Sequence, residues 1–148
     1  GNINTSYIGG HEDFKVKLPG SGGAADIAAM AKRLIAIMNH EKHRLVERVS
    51  YVTSPGYLAG GAARAQAGLA GGPSAIITDR CVLRPHGETH ELHIATIHPD
   101  HSLDEIRANT GWDVKPAPDM AETKPPSAAE IAALRRVDKD GFWRSQER

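Results

Sequence analysis

LPGSGGAAD, residues 18–26, is the stretch that decides the fold class of this chain. It follows residues 14–18, in which apolar side chains alternate with lysines at the period of a β-strand. It leads into the alanine-rich segment 24–31, which favours helix and carries Asp26 beside the positive end of the helix dipole. The glycines therefore lie in a tight strand-to-helix connection, the unit from which α/β folds are built.

The glycine turn admits three interpretations. Its backbone can approach a ligand closely and hold a phosphate, or the oxyanion formed when a thioester carbonyl is attacked. Residues 20–25 also satisfy G-x-G-x-x-A, and Glu41 follows the next apolar run at about the spacing of a dinucleotide-binding fold. A plain turn without a ligand is the third interpretation. Pro19 stands where G-x-S-x-G needs its first glycine, so we do not predict Ser21 to be a hydrolase nucleophile.

The remaining sequence predicts a mixed α/β fold. Further strands are predicted over residues 5–8, 34–38, 44–53, 75–78, 81–83 and 91–98. The short apolar run 34–38 is typical of a buried parallel strand, and residues 86–89 of a hairpin turn. We therefore predict an α/β fold with an open mixed sheet and flanking helices.

Helix signals lie mostly in the second half of the chain. Capping boxes at Ser102 and Ser127 predict helices that end at Gly111 and near Arg136. The glycine-rich residues 58–73 predict a loop in which 62–67 can form a helical turn. The proline-bearing residues 116–126 are predicted to form an extended crossing segment, and the last dozen residues a frayed tail.

Composition limits the class of protein. The 148 residues are 40% hydrophobic, which suits one domain with a real core. Lys+Arg and Asp+Glu are both 18, so no charge excess predicts binding to nucleic acid or to an anionic membrane. The single cysteine, Cys81, excludes an internal disulfide, and the absence of a signal-peptide pattern completes the expectation of a cytoplasmic protein. The start at Gly1 indicates that upstream sequence is missing.

Histidines crowd one region and raise the question of a metal site. They are His86, His90, His93, His98 and His101. No zinc spacing with cysteine is present, and residues an odd number apart on a strand point to opposite faces. We expect no metal and a polar hairpin with solvent-exposed imidazoles. Residues 138–141 (DKDG) lack the rest of a calcium loop and are interpreted as tail.

Several linked motifs resemble the β subunits of glutaconate-type CoA-transferases, which are class I CoA-transferases. They are residues 1–6 (GNINTS), 20–24 (GSGGA), 40–42 (HEK), 51–56 (YVTSPG), 77–79 (ITD) and 109–112 (NTGW). Their order and approximate spacing agree with the family from Gly1 to about Asp138. The resemblance implies a CoA-transferase-like fold, with residues 1–148 forming part of a single β-subunit domain whose N-terminal portion is missing.

The resemblance also implies a site shared with an α subunit, in a heterodimer or an α2β2 assembly. In the family, a β-subunit glutamate attacks the acyl-CoA and forms covalent intermediates. That glutamate lies upstream of the match to Gly1, so no catalytic residue is expected here, and Glu41 and Glu47 do not match it. The family's thioester-facing loop corresponds to Gly20, Ser21, Gly22, Gly23 and Ala24. The CoA thioester is then a substrate, and no tightly bound cofactor is implied.

Two further residues are candidates for contact with substrate or CoA. Arg64, the only charge in residues 58–73, could clamp a carboxylate or a CoA phosphate, although a solvated side chain is the interpretation we favour. Asn39 follows the predicted parallel strand, at the end where α/β ligands usually bind.

The expected function is that of a β subunit that moves CoA between an acyl-CoA and a carboxylic or dicarboxylic acid. Decarboxylation or hydrolysis of an acyl-CoA on the same scaffold is an alternative. A Rossmann-like nucleotide-binding module and a catalytically silent structural subunit are two others.

Overall fold

The computed structural model describes residues 1–143, which form two sheets and four helices. The strands are β1 Tyr7–Gly9, β2 Phe14–Lys17, β3 Leu34–Ile37, β4 Pro73–Ile77, β5 Cys81–His86, β6 Glu91–Ile97 and β7 Pro116–Glu122. The helices are α1 Ala24–Met30, α2 Ala63–Gln66, α3 Leu103–Ala108 and α4 Ala128–Val137. Within this part of the chain, no helix combines the length and the hydrophobicity that a membrane crossing requires.

The larger sheet is mixed, with strand order β3-β4-β5-β6-β7. β3 and β4 are parallel, as are β6 and β7, while β4–β5 and β5–β6 are antiparallel. β1 and β2 form a separate antiparallel hairpin. The prediction of an open mixed sheet with flanking helices is confirmed, and so are the extended course of residues 116–122 and the helical turn within 62–67.

The core lies where the two central strands meet α3. Leu83 of β5 and Ile94 of β6 are fully buried, as are Ile106 of α3 and Val114 beyond it. Complete burial of such a side chain stabilises the fold by about 1.5–3 kcal/mol. These four side chains therefore fix α3 against the middle of the sheet, with the edge strands outside this centre.

The edge strand β3 corrects one prediction. Residues 34–38 do contain a parallel strand, but it is not buried, since Ile35 is 47% and Ile37 76% exposed. β3 pairs only with β4, so one of its edges and one of its faces are uncovered within residues 1–143. An apolar run indicates that a strand tends to be buried. It does not indicate whether another element of the fold covers that strand.

The predicted strand over residues 44–53 is wrong. This segment forms turns and bends, with an isolated bridge from Val46 to Gly111 and another just beyond it from Ser54 to Ile3. Its apolar side chains include the exposed Val46 and Tyr51. Alternation alone does not make a strand when no neighbouring strand offers a ladder of hydrogen bonds.

Helix ends largely follow the predictions. Ser127 and Glu130 form a complete capping box at α4. At α3, Ser102 Oγ accepts from the Glu105 N–H, and the Glu105 carboxylate accepts from Arg80 and lies beside His101.

The prediction of a frayed tail is wrong for its first residues. Asp138 is only 5% exposed, and its carboxylate accepts from the Trp143 N–H at 3.3 Å. The last part of the predicted tail, 144–148, lies outside the described residues.

Candidate functional site

The glycine turn joins β2 to α1 and is open to the outside. Gly20 and Gly22 have φ angles of +94° and +49°, a conformation that favours glycine. Gly23 has a φ of −82°, which other residues adopt. A Cβ atom at any of these three positions would meet nothing within 4 Å in the described part of the chain. The turn therefore has free space along its backbone.

Hydrogen bonds hold the ends of the turn and leave its middle unoccupied. Gly20 N–H donates to the Thr5 carbonyl at 2.7 Å, and Ala24 N–H donates to the Ser21 carbonyl at 2.9 Å. Within residues 1–143, the N–H groups of Gly22 and Gly23 donate no backbone hydrogen bond. The Ser21 hydroxyl donates to the Gly22 carbonyl at 3.0 Å. In the described part of the chain, the turn thus presents two adjacent N–H groups that have no acceptor.

The structure does not support a dinucleotide site at this turn. That fingerprint requires the strand before the turn and the strand after the helix to lie in one parallel sheet. Within the described residues, β2 pairs with β1 in the separate hairpin, whereas β3 belongs to the larger sheet. The Glu41 carboxylate accepts from Arg44, which holds the pKa of Glu41 below its usual value. The Rossmann-like prediction is therefore wrong.

Polar residues meet at the carboxyl ends of β3 and β4, since the two strands are parallel. His40 N–H donates to Asp79 Oδ1 at 2.6 Å, which joins the residues that follow the two strands. Burial alone would raise the pKa of Asp79, but hydrogen bonds from backbone N–H groups bring it below its usual value. Asn39 lies beside this junction, and its Oδ1 atom is buried without a hydrogen-bond partner in the described part of the chain.

His40 is the centre of a buried network. It is 1% exposed, with Nδ1 3.1 Å from Thr78 Oγ1 and Nε2 3.0 Å from Thr110 Oγ1. The Thr110 hydroxyl also donates to the Ile106 carbonyl, and the Thr78 hydroxyl donates to the Cys81 carbonyl. Burial lowers the pKa of His40, and Arg80 nearby lowers it further.

Cys81 borders this network without the character of a nucleophile. Its Sγ lies 3.6 Å from His40 Nδ1, and the residue is fully buried. Burial raises the pKa of the Cys81 thiol to about 11. A reactive cysteine needs a thiolate, which this environment disfavours. Cys81 therefore acts as a packing residue of the core.

Arg64 corrects both interpretations of its role. It is 3% exposed, so it is not solvated. Its guanidinium N–H groups donate to backbone carbonyls of Ala28, Pro55, Gly56, Ala70 and Gly71. No donor is left for a carboxylate or a phosphate, since a guanidinium has five N–H groups and these bonds occupy all of them. Arg64 is thus held inside the protein in this structure.

The histidine cluster is less exposed than predicted. Of the five, only His86 is exposed, and it stacks on His93 with ring centroids 4.5 Å apart. His90 stacks on Tyr57 at 4.2 Å, and His98 bonds both Thr123 and the Thr78 carbonyl. Residues 1–143 contain no group of three or more metal-type side chains close enough to hold an ion. Within the described residues, the Nδ1 atoms of His90 and His93 are buried without a hydrogen-bond partner, although both rings stack on a neighbouring ring.

Two open grooves, each of about 520 Å³, lie elsewhere on the surface. Tyr57 lines both of them. Neither the glycine turn nor Asn39 contributes to either groove. Gly22, Gly23 and Ala24 of the glycine turn are exposed, whereas Asn39 is half-buried.

Sequence reasoning missed the network around His40. His40, Thr78 and Thr110 lie in three separate short motifs, and each belongs to the stretches that resemble the CoA-transferases. Their side chains meet across 38 and 70 residues of sequence. No local pattern reports such contacts, and only the clustering of motifs signalled that these positions matter.

Comparison with known proteins gives a consistent result. The family model for Coenzyme A transferase matches residues 1–109. The β subunit of 3-oxoadipate CoA-transferase from Pseudomonas knackmussii is 40% identical over 139 residues, which is 93% of this chain and 54% of that protein. The β subunit of glutaconate CoA-transferase from Acidaminococcus fermentans is 35% identical over 137 residues, 91% of this chain and 51% of that protein.

Solved structures agree with the sequence relatives. The crystal structure of the A. fermentans glutaconate coenzyme A-transferase has a TM-score of 0.79 at 34% identity, covering 91% of this chain and 52% of that chain. The crystal structure of the decarboxylase AibA/AibB has a TM-score of 0.72 at 22% identity, covering 96% of this chain and 53% of that chain. At that identity the second likeness shows the fold alone.

The mixed sheet with its open glycine turn is thus the α/β fold of enzymes that act on CoA esters. The chain belongs to the coenzyme A transferase family. The resemblance to β subunits is confirmed, because the curated relatives it matches are the β subunits of their enzymes. The chain spans about half the length of those relatives.

Proposed function

We propose that this chain is part of a CoA-transferase β subunit that moves CoA between an acyl-CoA and a dicarboxylic acid. The observation that carries the proposal is the 40% identity to the β subunit of a 3-oxoadipate CoA-transferase across 93% of the chain. The second relative is named for glutaconate, and both names refer to dicarboxylic acids. The CoA thioester is the substrate in this proposal.

The glycine turn is proposed as the loop that faces the thioester, formed by Gly20, Ser21, Gly22, Gly23 and Ala24. Its support is the free space along the backbone and the two unoccupied N–H groups. Fixed backbone donors stabilise the negative charge that develops on a carbonyl oxygen under attack. Removing one such donor typically lowers the rate by roughly 10²–10³.

Asn39 is proposed as a contact to substrate or CoA. A buried polar atom without a partner costs about 1–3 kcal/mol, so its presence calls for a reason. The amide stands at the carboxyl end of a parallel strand, where α/β proteins usually bind ligands. A ligand N–H or O–H group would satisfy the buried Oδ1 atom of Asn39.

The proposal includes a partner and a longer subunit. The relatives are subunits of two-subunit enzymes, so we propose an α subunit as partner, in a heterodimer or an α2β2 assembly. We also propose that residues 1–148 are one portion of a single β-subunit domain and that the attacking glutamate lies in the rest of it. The exposed position of the glycine turn suits a site that other parts of the enzyme complete. A cytoplasmic location stays a prediction.

Exchange of CoA tests the proposal. The complete β subunit with its α subunit should transfer CoA from an acyl-CoA to a free dicarboxylate, followed by mass spectrometry of the thioesters. Residues 1–148 alone should show no turnover above background. Release of free CoA or of CO2 without exchange would replace transfer by hydrolysis or decarboxylation.

A thermal-shift comparison gives a second test. A ligand that binds only the folded state raises the melting temperature. CoA should do so for the complete enzyme, whereas NAD should not. A shift with NAD alone would contradict the proposal.

A further inference from the structure

Helix α1, directly after the glycine turn, is weakly held by apolar packing. Ala28 is its only buried residue, while Ile27 is 58% and Met30 73% exposed. The described strands pack mainly against one another, and α1 makes no extensive contact with any of them. Burial of one alanine contributes little free energy, so another interaction must fix the position of α1.

Arg64 supplies that interaction. Its Nη2 donates to the Ala28 carbonyl at 2.7 Å and to the Ala70 carbonyl at 2.6 Å. Its Nη1 donates to the Pro55 and Gly56 carbonyls, both at 2.9 Å. The guanidinium therefore binds α1 on one side and two loop segments, 55–56 and 70–71, on the others. Hydrogen bonds from a charged donor are stronger than neutral ones, and here they are buried.

A second contact reinforces the same connection. Gly71 has a φ of +59°, and a Cβ atom there would lie 2.5 Å from the Ala31 carbonyl oxygen and 2.2 Å from that of Lys32. The loop therefore lies directly against the end of α1. Because Arg64 Nε donates to the Gly71 carbonyl at 3.0 Å, it also holds this loop in place.

We propose that Arg64 is a positioning residue for the glycine turn. By binding the Ala28 carbonyl and the loop beneath α1, it fixes the helix whose first residue, Ala24, ends the turn. The free N–H groups of Gly22 and Gly23 then keep one orientation toward the thioester. This inference rests on the function proposed above for the turn.

Arg64→Lys in the complete enzyme tests the inference. Lysine keeps the charge but has one nitrogen with three donors, which cannot reach all three segments. Because small displacements of positioned groups reduce rates strongly, we expect kcat to fall roughly 10–100-fold. The KM for acyl-CoA should stay within about threefold, because Arg64 has no donor left for substrate. Arg84→Lys is the matched control, since exposed Arg84 donates to the Ser74 carbonyl and to no other acceptor in residues 1–143, and its kcat should be unchanged.

Hydrogen exchange distinguishes a local role of Arg64 in positioning the glycine turn from a general loss of stability. This measurement does not depend on CoA-transfer activity. In Arg64→Lys, amides of residues 20–31 should exchange faster, while those of β5 and β6 should not change. Uniformly faster exchange, or a folded variant with unchanged kcat, would overturn the inference. Added guanidinium ion should partly restore the kcat of Arg64→Ala, and ammonium should not.

If neither variant folds, native-state hydrogen exchange of the unmodified enzyme tests the inference. Residues 24–30 and 64–71 should open in one step if Arg64 joins them. Separate opening of α1 would overturn the inference. Absence of CoA transfer in the unmodified enzyme would instead contradict the proposed function. The hydrogen-exchange result would still show whether Arg64 fixes the position of α1.

Discussion

His40 Nε2 lies 3.0 Å from Thr110 Oγ1, although 70 residues separate them in sequence. His40 follows the edge strand β3, and Thr110 follows α3, whose Ile106 belongs to the core. Together with the bond from His40 N–H to Asp79, this contact joins three segments that sequence order keeps apart. The carboxyl end of β3, where Asn39 stands, is thereby fixed to the centre of the fold.

Protonation of His40 at acidic pH should lower the stability of the fold. Burial lowers its folded pKa below the ordinary 6.5, so the unfolded state binds more protons between these two values. The stability that buried, neutral His40 contributes is fully present above pH 6.5. It is lost as the pH falls from 6.5 toward the folded pKa of His40. We expect the free energy of unfolding, measured with urea, to fall between pH 7.5 and 5.0. In His40→Gln this slope should be smaller, with about 1–3 kcal/mol already lost at pH 7.5.

His93 requires a control, because burial and the nearby His86 also lower its pKa. His93→Gln should retain the part of the slope that belongs to His40. The carboxylate of Glu105, with a pKa held below its ordinary 4.5 by His101, acts only at lower pH. An unchanged slope in His40→Gln would show that this histidine does not titrate in the range.

Gly23→Val should damage turnover more than folding. Gly23 has a φ of −82° and space for a Cβ atom, so valine fits the described structure without strain. Its side chain would still block close approach to the backbone N–H groups, and we expect kcat to fall roughly 10²–10³-fold in the complete enzyme. The melting temperature should change little. A rate within a few-fold of the parent would show that the loop is only a turn.

Gly22→Val is the matched comparison for that experiment. Gly22 has a φ of +49°, a conformation that costs a β-branched residue about 1–3 kcal/mol. Gly22→Val should therefore lose both stability and turnover. Equal melting temperatures for the two variants would contradict the backbone conformation described for the turn.

Asn39→Leu should separate stability from function. The variant removes a buried oxygen that has no hydrogen-bond partner in residues 1–143. The free energy of unfolding should therefore be unchanged or higher by about 1–3 kcal/mol. If Asn39 contacts substrate or CoA, kcat/KM should fall about tenfold, the effect of one lost hydrogen bond. Asn39→Asp keeps the acceptor and should lose less if a ligand donates to it. Unchanged kcat/KM in Asn39→Leu would exclude the contact.

Ser127→Ala should destabilise α4 by about 1 kcal/mol, measured as local hydrogen exchange in residues 128–137. The serine closes a reciprocal capping box with Glu130, and alanine removes the acceptor of the Glu130 N–H and weakens the reciprocal bond. CoA transfer should not change, because α4 contributes to no part of the proposed site. Exchange rates in α4 equal to those of the parent would show that tertiary contacts hold it instead.

Local sequence patterns determined much of the architecture. Local signals marked β5 and β6 as strands, and Ser127 with Glu130 marked the start of α4, because these signals depend on neighbours within a few residues. The glycines of the turn and the spaced motifs indicated the family, which the comparisons confirmed.

The tertiary structure decided which segments that are far apart in the sequence come into contact. Whether residues 44–53 become a strand depends on a neighbouring strand, and whether β3 is buried depends on what covers its open face. From the sequence, Arg64 was expected to be solvated or to bind an anion, yet carbonyls from three distant segments occupy its donors. The sequence alone determined which residues can donate, accept or pack, because that is fixed by their chemistry. Only the folded chain decided which partners they meet, because partners for buried polar groups are chosen among segments that packing brings together.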